Sequence, residues 1–295
     1  MTIYAALGAI EQGFAYGIMV IGVYLTFRIL DFPDLTVDGS LPLGASVSAV
    51  AITNGINPFV SLVFAVIAGF LAGTVTAVLN TKFKILHLLA SILTMIALYS
   101  VIIRIMDGPN IAMLNVKTVF DPWIALGIPG YLAGLIVFGI FAAVVAVLVV
   151  WFLSTELGQA VLATGDNPQM ITSQGVNTHT IIILGVGLSN ALVALSGALV
   201  AQNQGAADVG MGIGTIVAGL ASVIVGETIF GSRNVFRAIT AVLLGSVVYR
   251  LAIALALGLD WGEFQFNPSD LNLITAVLVI LALISPAIKK RLIRQ

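Results

Sequence analysis

The 295-residue chain has no cysteine, so it has no disulfide, no thiolate metal ligand and no thiol chemistry. Charge is also scarce. Lys, Arg, Asp and Glu together make up 8% of the residues, where a soluble domain carries about 25%. Basic clusters with interleaved aromatics are missing, so nothing points to a nucleic-acid partner. The two histidines, His87 and His179, lie far apart and no His-Glu-x-x-His occurs to bind zinc. No Gly-x-Ser-x-Gly elbow and no Gly-x-x-x-x-Gly-Lys-Ser/Thr phosphate loop occur. The sequence therefore predicts no catalytic residue, no metal site and no cofactor bound by this chain, and any energy source is a partner. The N-terminus has neither a basic leading region nor a clear cleavage site, and Thr2–Phe27 reads as a retained span.

What is abundant is apolar sequence. Hydrophobic residues make up 60% of the chain and the mean hydropathy is +1.14. Apolar runs of some twenty residues recur along the whole length, which predicts an all-α polytopic membrane protein with about eight or nine spanning or partly spanning helices. The segments are 3–27, 41–55, 57–79, 85–106, 130–153, 180–201, 212–230, 235–257 and 271–288. Segment 41–55 is short. It reaches about 22 Å against a hydrocarbon core of about 30 Å, so it is either a tilted span or a re-entrant piece.

Basic residues orient these segments. Lys82 and Lys84 share one short loop, Arg233 and Arg237 another, and Lys289, Lys290, Arg291 and Arg294 form the tail. All three fall on one side if every segment from 57 onward crosses once, and that side is cytoplasmic by the positive-inside rule. Asp107, Asp121, Asp208, Asp260, Glu263 and Asp270 fall opposite, with Trp123 and Trp261 at outer span ends. A crossing by 41–55 places Arg28 inside and the N-terminus outside; a re-entrant segment reverses both.

Two polar, glycine-bearing stretches open short segments, one in each half of the chain: Phe32–Ser40 and Gln202–Gly214. Broken helices in corresponding positions of two halves point to a transport pathway. The expected path residues are Asp34, Leu35, Thr36, Asp38, Gly39 and Ser40 from the first stretch, and Gly212 and Gly214 from the second. Ser91, Thr94 and Asn190 join them from polar positions within spans; taken singly, such small and hydroxyl residues fit close helix packing equally well. Glu227 lies near the cytoplasmic end of its segment, where it snorkels or pairs with Arg233 or Arg237.

The longest polar interval between well-formed apolar runs is Ser154–Asn177. Within it Asn167 suits an N-cap, Pro168 the first helical position and Gly175 the left-handed stop, which predicts a two-turn helix over 168–174. Such a capped helix either transmits force between spans or is an ordinary loop helix.

This interval resembles the cytoplasmic coupling loop of ABC importer permeases, in the branch serving branched-chain amino acids, ribose-type sugars and nucleosides. The matching positions are Thr155, Gly158, Ala163, Gly165, Asn167, Gly175 and Val176, with Glu156 and Pro168 in the same loop. It departs at Gln159, where the family commonly has Arg, and at Met170–Ile171, where paired alanines are common. Three further stretches resemble family segments in the same order: PDLTVDGSLPLGASVSA, LLASILTMIALYSVI and GTIVAGLASVIVGETIFGSRN.

The resemblance implies one permease domain over 1–295 in the bacterial cytoplasmic membrane. It implies a second permease copy, two cytoplasmic ATPases that carry ATP-Mg and receive loop 154–177, and an extracytoplasmic solute-binding protein. Among such permeases the Leu-Thr-Val-Asp-Gly-Ser variant is most similar to those for amino acids, aromatic ones included. A nucleoside or a sugar remains open as substrate. An ion-coupled secondary transporter is the competing class, and it needs mid-membrane coupling groups of which this chain offers few.

Overall fold

The computed structural model describes residues 3–257 together with 276, 277 and 280. The segment expected at 271–288, the acidic residues Asp260, Glu263 and Asp270, Trp261 and the basic tail lie outside the described residues. Among the described residues, seven helices are long and apolar enough to cross a membrane. Five belong to an uninterrupted helical element: α3 (Pro58–Thr81), α4 (His87–Met106), α6 (Gly130–Ser154), α9 (Thr178–Gln204) and α11 (Val235–Leu257). The sixth, α1 (Ile3–Tyr24), continues through a π-helical turn at Leu25–Ile29. In the seventh, a 3-10 turn at Val209–Gly212 precedes α10 (Thr215–Phe230). The short α2 spans Val37–Thr53, α5 Asp121–Ala125, α7 Glu156–Asp166 and α8 Pro168–Ser173. Strands β1 (Asn110–Ala112) and β2 (Ala206–Asp208) pair antiparallel, with Ile111 opposite Ala207.

Local chemistry sets the ends. Asn57 Oδ1 accepts from Phe59 N ahead of α3, and the Asn177 side chain accepts from His179 N and Thr180 N ahead of α9. Gly205, at φ 71°, supplies the left-handed residue that stops α9.

The central element is α9, which packs on α1, α2 and α3. Its packing face is rich in Gly, Ala and Ser, set among Val186, Val193 and Leu199, so backbones approach closely. A Cβ added at Gly44 would run into the Ala194 carbonyl, and one at Gly197 into that of Leu41. Ser189 Oγ donates to Gly22 O at 2.7 Å and Ser196 Oγ to Ala15 O at 2.7 Å. These pairs run in opposite order along the two chains, so α1 is antiparallel to α9. By contrast α2 is parallel to α9, since Ser40 meets Asn190 and Ser48 meets Gln202.

The chain therefore does return across the molecule between Ile29 and Asn54, which settles the short segment 41–55 as a crossing with a late start. Its 17 residues rise about 25 Å. Residues 30–36 cover the remainder without regular helix, and this is tolerable because most of them are enclosed by protein. Arg28 thus shares an end with Lys82, Arg233, α7 and α8, while Ile3, β1 and β2 sit at the other.

Candidate translocation core and coupling surface

The interval expected as a loop carrying one short helix holds two helices. Thr155 Oγ1 accepts from Gly158 N at 3.3 Å and opens α7, an element the sequence reading missed. Asn167 closes α7 and opens α8, its Oδ1 accepting from Met170 N at 3.0 Å with Pro168 at the first position. Gly175 has φ 87° and Val176 N donates to Ile171 O at 3.3 Å, as the expected left-handed stop requires. The predicted helix thus ends one residue earlier than 174.

Within this hairpin α7 faces inward and α8 outward. Val161 and Thr164 are buried, and Gly165 lies so close to Ile29 that a Cβ would collide with its carbonyl oxygen. Gly158 likewise abuts the Phe152 carbonyl, and Ala163 lines a cleft against the π turn. In α8 the buried residue is Ile171, while Pro168, Met170 and Gly175 are exposed, as are Glu156 and Asn167. Gln159, at the position where an arginine is common, donates its Nε2 to Leu153 O at 2.7 Å and so ties back to its own chain. The whole hairpin is a surface held up by a few buried contacts.

Beside the Gly165–Ile29 contact a cleft of about 680 Å³ opens between α7, the π turn and the end of α10. Arg28 Nε donates to Glu227 Oε1 there at 3.0 Å. Glu227 was expected to snorkel or to pair with Arg233 or Arg237. It pairs instead with Arg28, because the last turn of α10 lies beside α1. No sequence signal within the α10–α11 turn could have found it.

Deeper, the expected path residues separate into two groups. Asp34, Thr36, Ser40 and Asn190 are fully buried and bond to one another. Asn190 Nδ2 donates to Asp34 Oδ2 at 2.6 Å, Ser40 Oγ to Asn190 Oδ1 at 2.6 Å, and Thr36 N to Asp34 Oδ1 at 2.9 Å. Thr76 of α3, which sequence reasoning passed over, bonds the Thr36 hydroxyl at 2.8 Å. This network fastens the irregular stretch to α3 and α9. Ser91 and Thr94 are buried and donate to carbonyls of their own helix, and Leu35 packs on the main hydrophobic core.

The second group meets where α2 and α10 begin. Asp38 Oδ1 accepts from Thr215 Oγ1 at 2.9 Å and from Ile216 N at 2.8 Å, and its Oδ2 accepts from Gly214 N at 3.2 Å. Gly214, at φ 77°, precedes α10 and has no side chain to cap it. Asp38 supplies that cap from the other broken helix, satisfying donors that a helix start otherwise leaves orphaned. Gly212 lies against the Asp38 carbonyl, where a Cβ has no room. Asp38 and Gly39 border one cavity and Gly214 another, on the two sides of this junction.

Seven apolar spans among the described residues, two helices interrupted at matching depth and a capped hairpin at the basic end define a transport subunit of a multi-pass membrane protein. A family described as the branched-chain amino acid transport system / permease component matches residues 5–284. The chain belongs to that family, and it is an ABC importer permease of the bacterial cytoplasmic membrane rather than an enzyme.

Among relatives it is 42% identical to a tyrosine transport system permease protein of Clostridioides difficile (strain R20291) over 274 residues, covering 93% of this chain and 88% of the relative. It is 34% identical to an uncharacterized protein of Rickettsia prowazekii (strain Madrid E) over 283 residues, covering 94% and 96%. The fold is similar to PsaBC from Streptococcus pneumoniae, solved with a Fab, at TM-score 0.53 and 15% identity over 96% of this chain and 91% of that one. It is also similar to a metal-chelate type ABC transporter in an inward-facing conformation, at TM-score 0.50 and 15% identity over 97% and 85%.

Proposed function

We propose that the chain carries a small amino acid with an apolar or aromatic side chain, delivered by an extracytoplasmic binding protein. Two cytoplasmic ATPases holding ATP-Mg dock on the α7–α8 hairpin, and a second permease copy completes the path. The observation that carries the reading is the hairpin itself. Its outer helix is exposed for docking, while its inner helix seats Gly165 directly on the Ile29 carbonyl. Movement of α7 therefore reaches the π turn, Arg28 and the end of α10 without an intermediate element.

The substrate class draws support from the tyrosine system relative and from the cavities at the α2–α10 junction, whose walls are largely apolar. The test is reconstitution of the permease with its ATPase and binding protein, followed by uptake of labelled tyrosine, leucine, adenosine and ribose. ATP-dependent uptake of an amino acid, abolished when the binding protein is omitted, is the expected result. Uptake of adenosine or ribose instead, or uptake driven by an ion gradient without ATP, overturns it.

A further inference from the structure

One cavity at the α2–α10 junction, open at the surface of the chain along Ile96, Tyr99 and Ile213, combines a carboxylate with apolar walls. It lies between the first turn of α2, the middle of α4 and the 3-10 turn before α10, and its volume is about 370 Å³. That is within the range of about 300–1,000 Å³ in which small-molecule sites fall. Met95, Ile96 and Ile213 supply apolar wall, Tyr99 and Ser100 add two hydroxyls, and Asp38 is the one charged residue among the described lining residues. Lys, Arg and His are absent from that lining.

The Asp38 carboxylate is held by three donors, two on Oδ1 and one on Oδ2. Two oxygens offer about four acceptor directions, so the Oδ2 side keeps capacity for one more donor. Capping α10 does not by itself call for a charge, because Asn and Ser cap helix starts as well as Asp does. A carboxylate fixed beside apolar surface is poorly solvated, and a cationic donor is the group that compensates it best. A sugar or nucleoside needs several polar partners across its face, and these walls offer few. An anion meets repulsion.

We propose that this cavity is the transport subsite for the primary ammonium of an apolar or aromatic amino acid. The ammonium donates to Asp38 Oδ2, and the side chain lies against Met95, Ile96 and Tyr99. This subsite rests on the amino-acid importer reading above and gives it a location.

The experiment uses the reconstituted permease–ATPase–binding protein system with labelled tyrosine as probe. Asp38→Asn keeps an oxygen acceptor for α10 and removes the charge. A charge-assisted hydrogen bond is worth enough that tyrosine uptake is expected to fall about tenfold or more. The new amide nitrogen also costs the α10 cap its Oδ2 acceptor for Gly214 N, so membrane insertion and co-purification with the ATPase are measured beside uptake, and a fall in uptake counts only where both stay at wild-type level.

A second measurement reads the field in the cavity without transport. Ser100→Cys introduces the sole thiol of the chain, and a cationic methanethiosulfonate should modify it faster than an anionic one. Asp38→Asn in that background should equalise the two rates. Wild-type uptake of tyrosine with Asp38→Asn equally active overturns the subsite and leaves the importer reading standing. An unchanged reagent preference in Asp38→Asn also overturns it and leaves Asp38 a helix cap alone. A wild-type system that transports no amino acid overturns both.

Discussion

Asn190 holds three elements with one amide. Its Nδ2 donates to Asp34 Oδ2 and to the Val186 carbonyl, and its Oδ1 accepts from Ser40. Replacing it with leucine removes the donor on Asp34 Oδ2 and the acceptor of the Ser40 hydroxyl, both buried, while Thr36 N stays on Asp34 Oδ1. Asn190→Leu should therefore destabilise the protein by about 1–3 kcal/mol, read as a fall in the thermal unfolding midpoint in detergent. Asp34→Asn in the same background should recover part of the loss, because the buried charge is gone. The Arg28–Glu227 pair is different in kind. Arg28 is 61% exposed, so solvent screens the pair, and Arg28→Gln should cost no more than about 1 kcal/mol in the same measurement. Asp34 and Asn190 were both legible as polar groups at membrane depth, but their mutual bond joins positions 156 residues apart. Composition and spacing carry no information at that range.

At the scale of elements, the sequence was most legible where the deciding chemistry is local. Asn167, Pro168 and Gly175 fix the ends of α8 through their own backbone and side chain, so the short helix could be placed almost to the residue. α7 was missed because its start rests on Thr155 alone, without a glutamate three residues on, and Gly158 and Gly165 lower its helix propensity. Those glycines are required by the packing on Phe152 and Ile29, which only the folded molecule reveals. Gly165→Val should thus push α7 off the π turn. The expected outcome is normal membrane insertion with hydrolysis no longer stimulated by loaded binding protein, measured in proteoliposomes. In α8, Asn167→Ala removes a cap worth about 1 kcal/mol and Gly175→Val penalises the left-handed stop. The double variant should lose co-purification with the ATPase while still reaching the membrane.

For the molecule as a whole, hydropathy placed every span that falls among the described residues. Their partners in space came from the small-residue faces of α9, and the direction of α2 came from its bonds to Asn190 and Gln202. The resulting orientation is open to labelling, since the chain has no native cysteine. Lys82→Cys and Arg233→Cys should react with an impermeant maleimide only after membrane disruption, and Asp208→Cys in intact cells. Reaction of Lys82→Cys from outside reverses the arrangement. The corresponding test at Glu263 concerns a position outside the described residues.

The π turn at Leu25–Ile29 carries a consequence for the phase of all that follows. A π turn holds one residue more than an α turn, so the chain beyond it points where an uninterrupted helix would not. If that turn closed as ordinary α-helix with no residue removed, the positions beyond it would rotate by about 100°. Arg28 would swing away from Glu227, and the Ile29 carbonyl would leave its place beneath Gly165. The π turn therefore absorbs the single additional residue as an angular shim between the first span and the hairpin, and a one-codon deletion there should close the turn as α-helix while keeping the phase of the chain beyond it.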